Sequence, residues 1–235
     1  MKFNLPAYPE VLDMIELQKK VVDLGKKAAF QISKLGLEDF RAEVVFVLDI
    51  SKSMFPLYKD GTLQATLERV LALALSFDDN EACEVYLFGS DATQIATVTL
   101  ENIEGYAERE ILEKHNINGA TRYATALKLL EARYNSAKAP VYVVFLTDGN
   151  NSDKPETEAL LRSLSRFPVF FKFVGIGGET FSFLEKLDDL SGRTVDNADY
   201  IHLTDLNTVT ASELYARLLQ EVPEWTVSAR AAGVL

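Results

Sequence analysis

The sequence predicts an α/β fold: a mostly parallel sheet of six strands, one of them antiparallel at an edge, with helices on both faces. Three observations carry this expectation. The runs Val44-Val45-Phe46-Val47-Leu48 and 141–146 are apolar without alternation, which is how strands buried on both faces read. Segments with apolar residues at helical spacing separate these runs from each other and from further strand-like stretches. A turn-like segment, Gly89-Ser90-Asp91-Ala92, divides two strand-like runs and signals one hairpin in a chain otherwise built from crossovers.

In chain order, residues 11–35 place Leu12, Ile15, Leu17, Val21, Leu24, Ala28 and Ile32 on an apolar stripe, giving one long helix or two short ones stopped at Gly36. Residues 44–48 form the first strand, at the centre of the sheet. Residues 62–77 return to helical spacing through Leu63, Leu67, Val70, Leu71, Ala74 and Leu75, and Asp78-Asp79-Asn80 closes that helix. Residues 84–88 and 94–100 are the hairpin arms. A helix at 123–134 leads to the second doubly buried strand at 141–146. Helix 156–166, strand 169–174, helix 181–190, short strand 200–203 and helix 212–220 complete the alternation. Neither a repeat nor a linker interrupts it, so residues 1–40 are read as a helical lead-in to one domain at 41–235.

Composition narrows the function. The chain has 235 residues, 48% hydrophobic and 25% charged, which suits a folded domain and excludes intrinsic disorder. Its 24 basic and 35 acidic residues leave a net charge of −11, which repels a phosphate backbone, so no nucleic-acid partner is expected. The longest apolar runs, 70–75 and 141–146, fall far short of the roughly 18 to 20 residues of a transmembrane segment, and none is expected. Met1-Lys2-Phe3-Asn4-Leu5-Pro6 has no signal-like apolar region, and Cys83 has no second thiol; both point to a cytoplasmic location. Asn150-Asn151-Ser152 resembles a glycosylation acceptor, which means nothing without secretion. His115 and His202 are expected at the surface or in structural roles.

Chemistry in such a sheet belongs beyond the carboxyl ends of its strands. There the first strand delivers Asp49-Ile50-Ser51-Lys52-Ser53, the strand at 141–146 delivers Thr147-Asp148-Gly149-Asn150, and a third loop brings Gly119-Ala120-Thr121. Asp49 and Asp148 with the hydroxyls of Ser51, Ser53 and Thr121 make an oxygen-only donor set, suited to Mg²⁺ (or Mn²⁺ or Ca²⁺) and poorly suited to zinc. If neutral hydroxyls bind the ion directly, it keeps much of its charge and favours an anionic ligand, such as a carboxylate from a partner protein. A phosphatase-like Mg²⁺-dependent hydrolase is the enzymatic alternative, but Ser51 stands where its general acid belongs. Gly175-Ile176-Gly177-Gly178 lacks the third glycine of a nucleotide loop and reads as a plain turn. A metal-independent scaffold using helix 212–220 and the tail Val222-Pro223-Glu224-Trp225 is the remaining alternative.

Asp49-x-Ser51-x-Ser53, Thr121 and Asp148 match, residue for residue, the metal-ion-dependent adhesion site of von Willebrand factor A-like (vWA) domains. The small pair Gly119-Ala120 precedes the threonine as in that family, and Lys52 replaces the usual glycine of the first motif at a position that supplies no ligand. Further stretches, including Leu57-Tyr58-Lys59-Asp60-Gly61, Tyr86-Leu87-Phe88-Gly89 and Val195-Asp196-Asn197-Ala198, resemble the vWA domain of TerF-type bacterial tellurium-resistance and stress-response proteins, from about Lys26 to Arg230. The resemblance implies a single Rossmann-like vWA domain without catalytic activity. It further implies a metal-dependent module of tellurite or toxic-anion resistance whose partner is another protein of that system. It also implies Ser51 and Ser53 as direct ligands, Thr121 direct or through water, and Asp49 and Asp148 mostly through water.

Overall fold

A computed structural model describes residues 8–77 and 82–235 of the chain. In order these form α1 (Tyr8–Lys34), β1 (Glu43–Asp49), a 3₁₀ turn (Lys52–Met54), α2 (Phe55–Lys59), α3 (Thr62–Phe77), β2 (Ala82–Phe88), β3 (Ala92–Gln94) and β4 (Val98–Thr99). A π-helical segment (Ala107–Leu112) precedes α4 (Tyr123–Tyr134), β5 (Val141–Thr147), α5 (Lys154–Leu164), β6 (Val169–Ile176), α6 (Ser182–Asp188), β7 (Ala198–Leu203), α7 (Ala211–Leu219) and α8 (Val222–Ala231).

The unalternating strands are buried on both faces because helices cover both. Val44, Phe46 and Leu48 of β1 point into a core shared with α1, α3, α7 and α8. Val45 and Val47 point the other way, into a core closed by α4, α5 and α6. Burial of each such side chain contributes about 1.5–3 kcal/mol, so the central strands anchor both layers at once. The path order is β3-β2-β1-β5-β6-β7, with β4 also paired to β2; β1, β2, β5, β6 and β7 run parallel, and β3 and β4 run antiparallel to β2.

The antiparallel edge arrives in two pieces, giving seven strands where six are expected. Backbone acceptors between the pieces are taken by side chains: the Tyr106 hydroxyl donates to the Ala96 carbonyl, and Asn102 Nδ2 donates to the Thr97 carbonyl (2.9 Å). The Ile95 N–H still donates to the Val85 carbonyl (2.9 Å), and the ladder is interrupted at Ala96 and Thr97.

The expected α1 is one helix, ended at Gly36 with φ +66°. It packs on α3 and α7, with Lys20 paired to the buried Glu68 and Gln31 Nε2 donating to Ser212 Oγ (2.9 Å). The expected segments Met1 to Pro6 and Asp78-Asp79-Asn80, and the side chain of Leu12 in the apolar stripe, lie outside the described residues. The tail after α7 forms α8, with Pro223 in its first turn, where a missing N–H costs nothing. Trp225 is buried there against Phe40 and Phe170, with ring centroids 6.3 and 5.3 Å away. Among the described residues no helix is long and apolar enough to cross a membrane.

Candidate metal centre

Chain order reverses across β1 and β5: one half of the sheet grows outward through β2, the other through β6 and β7. Ligands bind at such a point, beyond the carboxyl ends of the strands. The register Leu48↔Leu146 lets Asp49 and Thr147 leave the sheet side by side. The loops that follow carry the predicted residues.

Ser51, Ser53 and Asp148 meet directly. Ser53 Oγ donates to Asp148 Oδ1 (2.8 Å), Ser51 Oγ lies 3.2 Å from Ser53 Oγ, and Ser51 Oγ lies 3.5 Å from Asp148 Oδ1. Adjacent oxygens of an octahedral Mg²⁺ sphere stand about 2.9 Å apart, and those around larger Ca²⁺ somewhat farther. The three oxygens therefore have the spacing of neighbouring ligands on one hard cation.

Asp49 sits behind them, fully buried. Its Oδ1 accepts from the Ser51 N–H (2.7 Å) and its Oδ2 from Thr147 Oγ1 (2.7 Å), so both oxygens are held by the protein. The Tyr58 hydroxyl donates to the Asp49 carbonyl (2.9 Å), tying α2 beneath the turn. Lys52 opens the 3₁₀ turn with its side chain exposed, so the turn accommodates a lysine at this position.

Thr121 is delivered by close backbone crossing. Gly119 bridges Ser51 as an isolated parallel pair, and its N–H donates to the Ile50 carbonyl (3.2 Å). A Cβ on Gly119 would stand 2.9 Å from Gly89 Cα, closer than real contacts allow, so glycine is required by the approach of the β2–β3 turn. The Ser152 N–H donates to the Thr121 carbonyl (3.1 Å). Asp153 accepts from the backbone N–H groups of Tyr123 (3.2 Å) and Ala124 (2.9 Å), capping α4 from another loop. Thr121 Oγ1 comes beside Gly149, where an added Cβ would lie 3.6 Å from it. Thus Ser51, Ser53 and Asp148 touch, Asp49 braces Ser51 from behind, and Thr121 flanks the residue after Asp148.

Burial pushes the Asp49 carboxyl up from 3.8 to about 6, against the downward pull of its Thr147 and Ser51 hydrogen bonds and with a further push from Asp148. Asp148 is also raised, first by burial, with Glu179 adding like-charge repulsion. A cation at the three oxygens would relieve both carboxylates, which is what a protein-built cation site needs.

Sequence reasoning missed Thr147, Tyr58 and Asp153, whose partners lie in other segments. Only the threonine had a local signal, adjoining Asp148 at the end of a buried strand. It also missed a buried charge cluster. Lys172 of β6, fully buried, ion-pairs Asp199 of β7, and Asp188 and Glu221 complete a group of carboxylates with Asp199. The Lys172 ammonium, which burial pulls down to about 7 against the upward pull of Glu221 and Asp188, offsets part of this group's charge, so the cluster reads as structural. Neither His115 nor His202 hydrogen-bonds a predicted site residue; His202 Nε2 is 2.6 Å from the Gly177 carbonyl.

Residues 41–235 match the vWA-TerF-like family, described as the vWA found in the TerF C terminus. The uncharacterized protein YcbR of Bacillus subtilis (strain 168) is 35% identical over 226 residues, covering 94% of this chain and 90% of that protein. Among solved structures, proximal thread matrix protein 1 from the mussel byssus, with a zinc-occupied MIDAS (metal-ion-dependent adhesion site) motif, aligns with TM-score 0.51 and 18% identity over 77% of this chain and 46% of that one. The ArnB paralog VWA2 from Sulfolobus acidocaldarius aligns with TM-score 0.47 and 18% identity over 79% and 44%. The chain spans less than half the length of these solved structures.

Proposed function

This chain belongs to the vWA-TerF-like family, and on that premise we propose that it is a non-catalytic, metal-dependent protein-interaction module. Asp49, Ser51, Ser53, Thr121 and Asp148 hold a divalent cation, and a partner protein supplies an acidic side chain to it. The observation that carries the reading is the mutual spacing of the Ser51, Ser53 and Asp148 oxygens, with Asp49 buried behind and raised by its burial.

The ion supplies a positive acceptor for the partner's carboxylate. The chain's own residues set how strong that acceptor is: hydroxyl ligands from Ser51 and Ser53 add no charge, and Thr147 and the Ser51 N–H hold Asp49 back as a positioning group. An all-oxygen donor set favours Mg²⁺, with Mn²⁺ or Ca²⁺ as substitutes. Against the phosphatase alternative, no acid stands two residues beyond Asp49. In the cell we place the module in the cytoplasm, in a bacterial tellurite or toxic-anion resistance and stress-response system, with another protein of that system as partner; the family's description, which names TerF, is the support for the choice of system.

The test is calorimetric titration of EDTA-stripped protein with Mg²⁺, Mn²⁺, Ca²⁺ and, because the mussel protein holds it, Zn²⁺. The control is the Asp49→Ala, Ser51→Ala variant. One-to-one binding that disappears in the control is expected. A native protein that binds no divalent ion would remove the metal-dependent reading and leave a metal-independent scaffold.

A further inference from the structure

A cleft of about 790 Å³ opens directly from the metal centre, sharing Ser53 and Asp148 with it. Its floor carries Pro56 and Leu57 of α2 and Ile176 at the end of β6. Its walls carry three further carboxylates: Asp60 after α2, Glu179 in the β6–α6 loop and Asp205 in the β7–α7 loop. Among the described residues no lysine, arginine or histidine lines it.

Some acidic side chains elsewhere are matched by cations. Glu158 pairs with Arg162 and Lys186, Glu84 with Arg133, and Glu156 with Lys128. The three wall carboxylates have no such partner among the described residues, although two are held in place. Asp60 Oδ1 accepts from the Thr62 N–H (2.9 Å), and Asp205 Oδ1 accepts from the Asn207 N–H (2.8 Å). Asn207 Nδ2 donates to Thr62 Oγ1 (2.8 Å), tying one wall to the start of α3.

Charge balance decides what fits. A divalent ion offsets Asp49 and Asp148, so the cleft keeps the charges of Asp60, Glu179 and Asp205 when the ion is present. A partner bringing only a carboxylate would be repelled by these and by a chain whose net charge is −11. We propose that the partner segment carries a lysine or arginine beside its acidic residue: the carboxylate goes to the metal centre, and the basic side chain lies along Pro56 and Leu57 with its charge among Asp60, Glu179 and Asp205. The inference rests on the metal-site reading given above and adds the chemistry that selects the partner. Aliphatic stems of lysine and arginine suit an apolar floor with acidic walls.

The experiment selects a displayed peptide library, with a fixed central aspartate and randomised flanks, on the full chain in Mg²⁺, with an EDTA arm as control. One enriched peptide and its Lys→Gln or Arg→Gln counterpart are then measured by fluorescence anisotropy on the native chain and on the Asp60→Asn, Glu179→Gln, Asp205→Asn variant. The amide at each position keeps an acceptor oxygen, and Mg²⁺ titration and thermal unfolding are read on the same variant. The expected result is enrichment of basic flanks in the Mg²⁺ arm and a loss of about fivefold in affinity on removing the peptide's cation, as a well-placed surface pair gives. That loss should disappear in the variant. Charge reversal by Glu179→Lys and Asp205→Lys should shift enrichment to acidic flanks.

EDTA-sensitive binders with no basic preference would overturn the cleft inference and leave the metal site standing. Failure of Mg²⁺ to bind the native chain would overturn both. Loss of Mg²⁺ binding in the amide variant would overturn the inference, because the wall carboxylates would then serve the ion instead of the partner.

Discussion

A buried carboxylate that is ionised at working pH destabilises the protein that carries it, and Asp49 makes this measurable. In the metal-free protein its carboxyl ionises at about 6 instead of 3.8, chiefly because of burial. The folded state therefore binds this proton more tightly than the unfolded chain does. The associated stability is fully present below about pH 4 and is lost as pH rises through about 6. At pH 7 a shift of about two units corresponds to about 3 kcal/mol of lost stability.

Asp49→Asn removes the charge and keeps the shape. Its Oδ1 can still accept from the Ser51 N–H, and its amide group would face Thr147 Oγ1, whose hydroxyl can turn to donate to the Gly149 carbonyl at 3.2 Å. The variant is therefore expected to be more stable than the native protein in EDTA at pH 7, by about 1–3 kcal/mol after allowing for imperfect amide geometry. Urea unfolding across the range from about pH 4 to about pH 8 reads it: the advantage should shrink on acidification as the native carboxyl becomes neutral. Added Mg²⁺ should stabilise only the native protein, by about 2.7 kcal/mol at a hundred times the dissociation constant. A variant less stable than native at pH 7 without metal, or an advantage that does not change with pH, would refute the electrostatic account of Asp49.

Three further outcomes follow from the geometry. Thr147→Val removes the donor to Asp49 Oδ2 and the acceptor of the Gly149 N–H, and should cost about 1–3 kcal/mol in urea unfolding together with weaker Mg²⁺ binding in calorimetry. Unchanged metal affinity would show that Asp49 does not need this brace. Gly119→Ala puts a Cβ against Gly89 Cα at 2.9 Å, where backbone must move, and should cost about 1–3 kcal/mol while displacing Thr121; full metal affinity with native stability would contradict the crossing. Lys172→Met strands the buried Asp199 and should cost about 3–5 kcal/mol, much of it recovered when Asp199→Asn is added. Failure of the double variant to regain stability would mean that Lys172 serves Asp188 and Glu221 more than Asp199.

What could be read from the sequence was what is local to it. Asp49, Ser51 and Ser53 share one turn, and Asp148 follows a buried strand, so the loops after β1 and β5 declared their chemistry before any contact was known. The apolar runs likewise showed which strands are covered on both faces. Contacts between distant segments were not legible: Asp153 caps α4 from 30 residues beyond Tyr123, and the interruption between β3 and β4 depends on Tyr106 and Asn102, which lie outside the hairpin. Val222-Pro223-Glu224-Trp225 reads as a tail in the sequence, yet it opens α8: a proline in a helix's first turn is compatible with the helix continuing, and burial of Trp225 holds it down. Lys172 is the instructive case, because the signal was present and went unused. A lysine inside the run Val169-Phe170-Phe171-Lys172-Phe173-Val174 has no solvent to reach if both faces of the strand are covered. Since an uncompensated buried charge is too costly to keep, that pattern requires a carboxylate on a neighbouring element, and the next strand in the sheet provides Asp199 directly opposite it.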